Sequence, residues 1–205
     1  MRGFERYTVL VMLIGLLAPL TAWAVIAPTT PPNVIVREKT RQILHSIEHK
    51  RALYEHNHKA LYGMVDRQVV PYFDFPRMAR WVLARYWRTA KPAERKAFTT
   101  QFRDLLVRTY ATALLSYSGQ RIDYLPYRQP RRRHALVRTL ILQNNGAANI
   151  PIDYMFVHKT VGWKVYDVTI DGVSLVTNYR TVYASKIRRS GLPALIASMK
   201  RANGR

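Results

Sequence analysis

The sequence predicts an α+β domain in which helices gather around an antiparallel β-sheet, and changes of hydrophobic period carry that reading. Apolar residues recur every three to four positions from Val36 to Tyr117, every second position from His134 to Asp171, and every three to four again from Val176 to Met199. Helices grouped on one side of a run of hairpin-linked strands give this fold class. With 205 residues, 48% of them hydrophobic and 11% aromatic, the chain has enough apolar surface for one such domain to build its own core.

The first 24 residues read as an export signal. Arg2 and Arg6 form a basic start, Val9 to Leu20 is an apolar run broken by Pro19, and Ala22-Trp23-Ala24 is a small-x-small cleavage site. A single domain is then expected over residues 25–205, starting at Val25. The uncharged run from Thr8 to Ala27 is also about long enough for a retained anchor. Pro19, the cleavage site and the following Thr29-Thr30-Pro31-Pro32 favour removal.

Val36, Ile43, Ile47, Tyr54 and Leu61 mark one stripe of a long helix, followed by a short apolar segment from Met64 to Val70 that ends at Pro71. Asp74 suits the N-cap of the next helix, whose apolar face is Phe75, Met78, Ala79, Val82, Leu83 and Tyr86. Pro92 belongs in the first turn of another helix, with Glu94 at its positive end. Phe98, Phe102, Leu106, Tyr110, Leu114 and Tyr117 line that helix until Gly119 stops it.

Beyond an edge strand expected within Arg121 to Tyr127, His134 to Gln143 is rich in aliphatic and β-branched residues, and Asn144-Asn145-Gly146 is a turn signal. Ile150, Ile152, Tyr154 and Phe156 alternate along the next strand. After a turn near Gly162, Tyr166, Val168 and Ile170 are expected on one face and Asp167, Thr169 and Asp171 on the other. Val176, Tyr179, Tyr183 and Ile187 form a final helical stripe closed by Gly191. Leu192, Leu195, Ile196 and Met199 form a last short one.

Charge narrows the partners. A formal +21 attracts polyanions: nucleic acid, anionic headgroups or an acidic protein. Export takes nucleic acid out of reach and leaves membrane surfaces and acidic docking sites. The run Arg128, Arg131, Arg132, Arg133, with Tyr127 beside it, reads as a solvated loop first, as a docking element for such surfaces second, and last as a nucleic-acid contact in which the aromatic ring stacks on bases. The absence of cysteine excludes thiol chemistry and cysteine-ligated metal.

Residues able to do chemistry are few. His45-Ser46-Ile47-Glu48-His49 matches a zinc-hydrolase spacing, with both histidines on one helix face and Glu48 beside them as base. Ile47 lies on the apolar stripe, which puts these polar groups on the solvated flank, and no later helix offers the third ligand. His56 and His58 read as solvated helix residues. Asp167 and Asp171 read as turn or strand-end contacts. Ser174 lacks the G-x-S-x-G setting of a hydrolase nucleophile. No glycine-rich phosphate loop is present. No catalytic residue, no metal site and no enzymatic cofactor are therefore predicted. The stripes carry many of the chain's 13 tyrosines, whose hydroxyls want polar partners, so a mixed tyrosine–aliphatic face could line a cavity mouth.

The run from Trp163 to Arg180, WKVYDVTIDGVSLVTNYR, resembles the signature of the MlaC (toluene-tolerance) family. Tyr72-Phe73-Asp74-Phe75, Met78-Ala79, Val82-Leu83, Trp87 and the spacing of Phe98, Phe102, Leu106 and Tyr110-Ala111 are similar to the same family, so the likeness spans roughly Val34 to Arg201. It implies helices packed around a curved antiparallel sheet that encloses an apolar lipid pocket, acyl chains inside and headgroup near solvent. It implies a periplasmic carrier rather than an enzyme, shuttling phospholipid between an inner-membrane ABC transporter complex with MCE domains and an outer-membrane lipoprotein complex, with transient membrane contact. By position, the resemblance assigns the lipid-binding wall to Val82, Tyr86, Phe102, Leu106, Tyr110, Tyr154, Phe156, Val168, Ile170, Val173, Leu175, Tyr179 and Tyr183. The sequence departs from the family where Ala84 stands for a frequent glycine, Tyr183 for a phenylalanine and Val182 for a glutamine. The more polar Tyr183 bears on which lipid is held, and a hopanoid cargo is the alternative within the family. Outside it, the alternative is a basic adaptor that binds a partner or membrane without any cavity.

Overall fold

A computed structural model describes residues 29–204. The expected export signal lies outside the described residues, among which no helix is long and apolar enough to cross a membrane. The chain forms helices α1 (Pro32–His56), α2 (His58–Gln68), α3 (Phe75–Leu83), α4 (Arg85–Thr89) and α5 (Pro92–Ala113). Strands β1 (Arg121–Tyr124), β2 (Arg128–Arg131), β3 (His134–Leu142), β4 (Ile150–Lys159), β5 (Gly162–Ile170) and β6 (Val173–Ser174) come next, and α6 (Leu175–Asn203) closes the fold.

The long N-terminal helix is interrupted where one continuous stripe was expected. Asn57 leaves helical geometry and accepts a hydrogen bond on Oδ1 from the Ala60 amide at 3.0 Å, so it caps α2 and ends α1. Leu61 and Met64 therefore belong to α2, whereas Ile47 and Tyr54 sit on α1. Asp74 caps α3 as expected, accepting from the Arg77 amide at 3.2 Å, and Glu94 accepts from the Lys91 amide at 2.7 Å at the start of α5. Arg51 of α1 donates to the carbonyl oxygens of Leu115 (2.6 Å) and Tyr117, satisfying acceptors left free past the end of α5. Gly191, at φ +78°, breaks α6 into two helices where the apolar stripe changes phase.

The sheet runs β1-β3-β4-β5-β6, antiparallel throughout, and β2 pairs with the other half of the β3 edge that β1 occupies. Arg128–Arg131 is thus a short strand and not the loop expected from its arginines. Register places Ala135, Val137 and Thr139 of β3 beside Phe156, Tyr154 and Ile152 of β4, and Tyr154 and Ile152 beside Val168 and Ile170 of β5. These residues share the inner face.

One expectation about β5 is overturned. Phe156 pairs with Val165 but Met155 pairs with Asp167, so Tyr166 is an inserted residue at a β-bulge. The bulge turns Tyr166 away from Val168 and Ile170, and its ring packs instead against Trp81 (5.0 Å), His134 (5.8 Å) and the Arg77 guanidinium. Asp171 also leaves the strand: with Gly172 it forms the two-residue β5–β6 turn, both at positive φ.

Two clusters make the core. The larger lies between the inner sheet face and α3, α5 and α6, with Ile35 and Val36 of α1 at its margin. The smaller joins α1, α2 and the far side of α5 through Ile47, Tyr54, Leu61, Met64, Val65, Val107 and Ala111.

Candidate functional site

Each wall of the larger cluster has a local cause. The i, i+3, i+4 spacing of α3 buries Met78, Ala79, Val82 and Leu83 against it. On α5, Phe98, Phe102 and Leu106 recur at four-residue steps and are buried on one side. The antiparallel alternation of β3, β4 and β5 supplies the floor. The start of α6 is fixed by Asp167: its carboxylate accepts from the Val168 amide (2.9 Å), the Val176 amide (3.1 Å) and the Ser174 hydroxyl (2.6 Å). Ser174 in turn caps α6 by accepting from the Thr177 amide at 3.1 Å. Ser174 and Asp167 therefore aim the helix that carries Leu175, Tyr179 and Tyr183, the structural role read for Asp167 from its sequence setting.

The resemblance assigned thirteen residues to a lipid wall, and the structure gathers twelve of them here. Val82, Phe102, Leu106, Phe156, Val168, Leu175 and Tyr183 are buried in the cluster, and Tyr86, Tyr110, Tyr154, Ile170 and Tyr179 pack on it with part of their surface exposed. Val173 stands apart: it is 54% exposed on β6. Residues of β3 were not assigned, yet Ala135, Val137 and Thr139 are buried on the same face. Their signal in the sequence is the alternation Ala135, Val137, Thr139 against His134, Leu136, Arg138.

Aromatic rings join α5 to α6. Phe98 and Phe102 stack at 5.8 Å, Phe98 meets Tyr183 edge-on at 5.8 Å, and Phe102 meets Tyr179 edge-on at 5.3 Å. Tyrosine hydroxyls punctuate this apolar region. Burial pushes the Tyr154 phenol up to about 12, against which a hydrogen bond with Thr139 acts. Burial raises Tyr183, Tyr179 and Tyr110 as well, with a hydrogen bond to Thr109 opposing the shift at Tyr179. All four phenols stay protonated at neutral pH and can donate or accept. The region therefore sets a few neutral polar points beside hydrocarbon. That combination suits an uncharged or amphiphilic guest.

The other candidates fall outside this region. His45 and His49 lie ring to ring at 3.9 Å on the exposed side of α1, and His49 bonds the His45 carbonyl oxygen. Among the described residues, no three histidine, cysteine or acidic side chains converge in a metal-binding group. A shallow open depression at the surface is lined by Thr29, Arg132, Arg133, His158 and Trp163, none of which belongs to the assigned wall.

Comparison with known proteins places this architecture. The solved structure of a phospholipid-binding protein from Ralstonia solanacearum, in complex with a phospholipid, superposes with a TM-score of 0.77 at 29% identity, covering 85% of this chain and 98% of that one. The toluene tolerance protein Ttg2D of Pseudomonas putida is 28% identical over 180 residues, which is 86% of this chain and 83% of its own length. The intermembrane phospholipid transport system binding protein MlaC of Haemophilus influenzae is 25% identical over 176 residues, 84% of this chain and 82% of its own. The family model described as MlaC protein matches residues 37–201, nearly all of the described chain, and the chain belongs to the MlaC family.

Proposed function

We propose that this protein is a periplasmic lipid carrier that takes phospholipid acyl chains into the region between α3, α5, α6 and the inner face of the sheet. The single observation that carries the reading is the convergence there of twelve residues assigned by family position, apolar except for neutral phenols. The phospholipid-bound relative of the same fold, matched over nearly its whole length, supports it.

The physical need is plain. A two-tailed lipid exposes about 30 methylenes, each costing about 0.8 kcal/mol in water, so leaving a bilayer uncovered costs on the order of 24 kcal/mol. A protein that covers both tails removes most of that barrier without any reaction, and the names of the relatives speak of binding and transport, not catalysis. The acyl chains would lie along Val82, Phe102, Leu106, Phe156 and Val168. The partly exposed Tyr86, Tyr110 and Tyr179 would face the headgroup. The carrier would exchange lipid with an inner-membrane MCE-domain transporter complex and an outer-membrane lipoprotein complex.

Mass spectrometry of organic extracts from purified protein tests the reading. The expected result is about one lipid per chain, of phospholipid or hopanoid class. Protein that is reproducibly free of lipid, and takes up none from vesicles, overturns it.

A further inference from the structure

We infer that the end of the sheet formed by the β2–β3 and β4–β5 turns is a docking surface for anionic lipid bilayers, separate from the cargo region. Between Tyr127 and Lys164 the chain has seven cations, Arg128, Arg131, Arg132, Arg133, Arg138, Lys159 and Lys164, against one carboxylate, Asp153. The fold sorts them. Asp153 is set back along β4 opposite Arg138, while the two turns lie side by side at the strand ends, because His134 pairs with Val157 and Lys159 with Gly162.

The two turns are joined. The His158 amide donates to the Arg133 carbonyl oxygen at 2.9 Å, and the Arg133 guanidinium returns two bonds to the His158 carbonyl oxygen at 3.3 and 3.2 Å. Lys159 pairs with the buried Asp74 carboxylate at 2.8 Å, and Lys164 donates to the Pro71 carbonyl oxygen. These contacts fix the frame. Arg128, Arg131 and Arg132 form no ion pair among the described residues and are exposed, with the depression lined by Arg132, Arg133, His158 and Trp163 beside them. At the tip of the neighbouring turn, Val161 is 67% exposed, the most open large aliphatic residue described.

Unpaired guanidinium groups around one protruding aliphatic tip match a bilayer interface. Arginines meet phosphates at headgroup depth, and a short aliphatic side chain reaches past them. An acidic protein would use the same charges but would have no need of the bare valine. Docking here leaves the cargo-facing residues untouched, so the inference stands whether or not the carrier reading does.

The test uses protein purified from cells expressing the full chain, and vesicles of phosphatidylcholine with about one-third phosphatidylglycerol. The variant R128Q/R131Q/R132Q is compared with the charge-matched K186Q/R188Q/R201Q, which removes exposed cations from α6. The first should bind these vesicles at least about tenfold more weakly and the second nearly as well as the parent, with binding lost at high salt. Because the chain has no cysteine, Val161→Cys takes a single environment-sensitive fluorophore. Its emission should shift to the blue on anionic vesicles, and a label at Val182→Cys should not. Lipid content of the triple variant, read separately, should equal the parent's. Equal losses in both triple variants, unchanged binding in the first, or a label at position 161 that stays in water would each overturn the inference.

Discussion

The two hydrophobic clusters meet at α5 and differ in what they place next to hydrocarbon. On one side of the helix Val107 and Ala111 pack with Ile47, Leu61, Met64 and Val65, joined by Tyr54, which is buried, and Tyr62, which is half-buried. On the other, Phe98, Phe102 and Leu106 face the sheet, and tyrosines from α4, α5, β4 and α6 gather around them, several half-exposed. The first is a solved packing problem: branched side chains closing on one another between three helices. The second keeps polar points inside an apolar wall, a poor way to build a permanent core and a suitable way to build one that opens for a guest. One helix thus stands between a closed three-helix cluster and the larger cluster proposed to work.

The sharpest way to break that division is to fill the second cluster. Val168→Trp puts an indole onto the inner face beside Tyr154. Lipid recovered per chain should fall by more than about tenfold, at a stability cost of about 1–3 kcal/mol. A variant that keeps its lipid would mean that cargo does not lie against β5. The converse change empties the first cluster. Leu61 is fully buried there, so Leu61→Ala should cost about 2–5 kcal/mol in urea denaturation of lipid-free protein. Its lipid stoichiometry should match the parent's. Loss of cargo without loss of stability would erase the distinction between the clusters.

The phenols allow a third, somewhat smaller test. A phenol raised by burial in the folded state keeps its proton there after the unfolded chain has lost its own. Its contribution is therefore intact below pH 10 and disappears as pH climbs toward the folded value. For Tyr154, at about 12 against an ordinary 10.0, that amounts to at most about 2–3 kcal/mol between pH 10 and 12. Stability curves of parent and Tyr154→Phe should run parallel below pH 10, with the parent falling more steeply above it. Parallel decline throughout would show that the Tyr154 phenol is not enclosed.

Much of this arrangement is legible without coordinates. The faces of α3 and α5, the Asp74 cap, the break at Gly191 and the β3–β4–β5 hairpins follow from periodicity and turn chemistry, because each depends on residues within a few positions. What escapes the pattern depends on a partner strand or on one unremarkable side chain. The bulge at Tyr166 is invisible because an apolar residue inserted into an alternating run still reads as alternation until β4 supplies the register. The α1–α2 break rests on Asn57, between two histidines, with no glycine or proline to mark it. Arg128–Arg131 looks like a loop because its edge pairing with β3 is long-range. For the site, family position gathers twelve of thirteen residues into one cluster, and the exception, Val173, pairs with Ile170 on the two-residue edge strand β6, where it is left exposed at the sheet margin. The buried face of β3 is hard to see in the sequence because Ala135 and Thr139 are too small or too polar to stand out.

The smallest effect concerns strain, and it too falls on the working side. Between α3 and α4, Ala84 adopts φ +48° and ψ −115°, a conformation glycine reaches freely and a Cβ resists. It directly follows Val82 and Leu83, both buried in the tyrosine-bearing cluster, and precedes Tyr86 at its edge. The flanking helix turns close the corner: the Ala84 amide donates to the Arg80 carbonyl oxygen at 3.0 Å, and the Trp87 amide donates to the Ala84 carbonyl oxygen at 3.2 Å. An alanine Cβ carries a penalty in this backbone conformation that glycine avoids. Ala84→Gly should therefore stabilise the protein by about 1 kcal/mol, the reverse of the usual outcome of putting glycine beside a helix, because relief of the positive φ exceeds the added freedom of the unfolded chain. Denaturation of lipid-free protein measures it. If Ala84→Gly instead lowers stability, the corner is not strained and α3 runs into α4 with ordinary backbone angles; a rise accompanied by slower lipid release would mean that the strain at Ala84 helps the α3 wall to move.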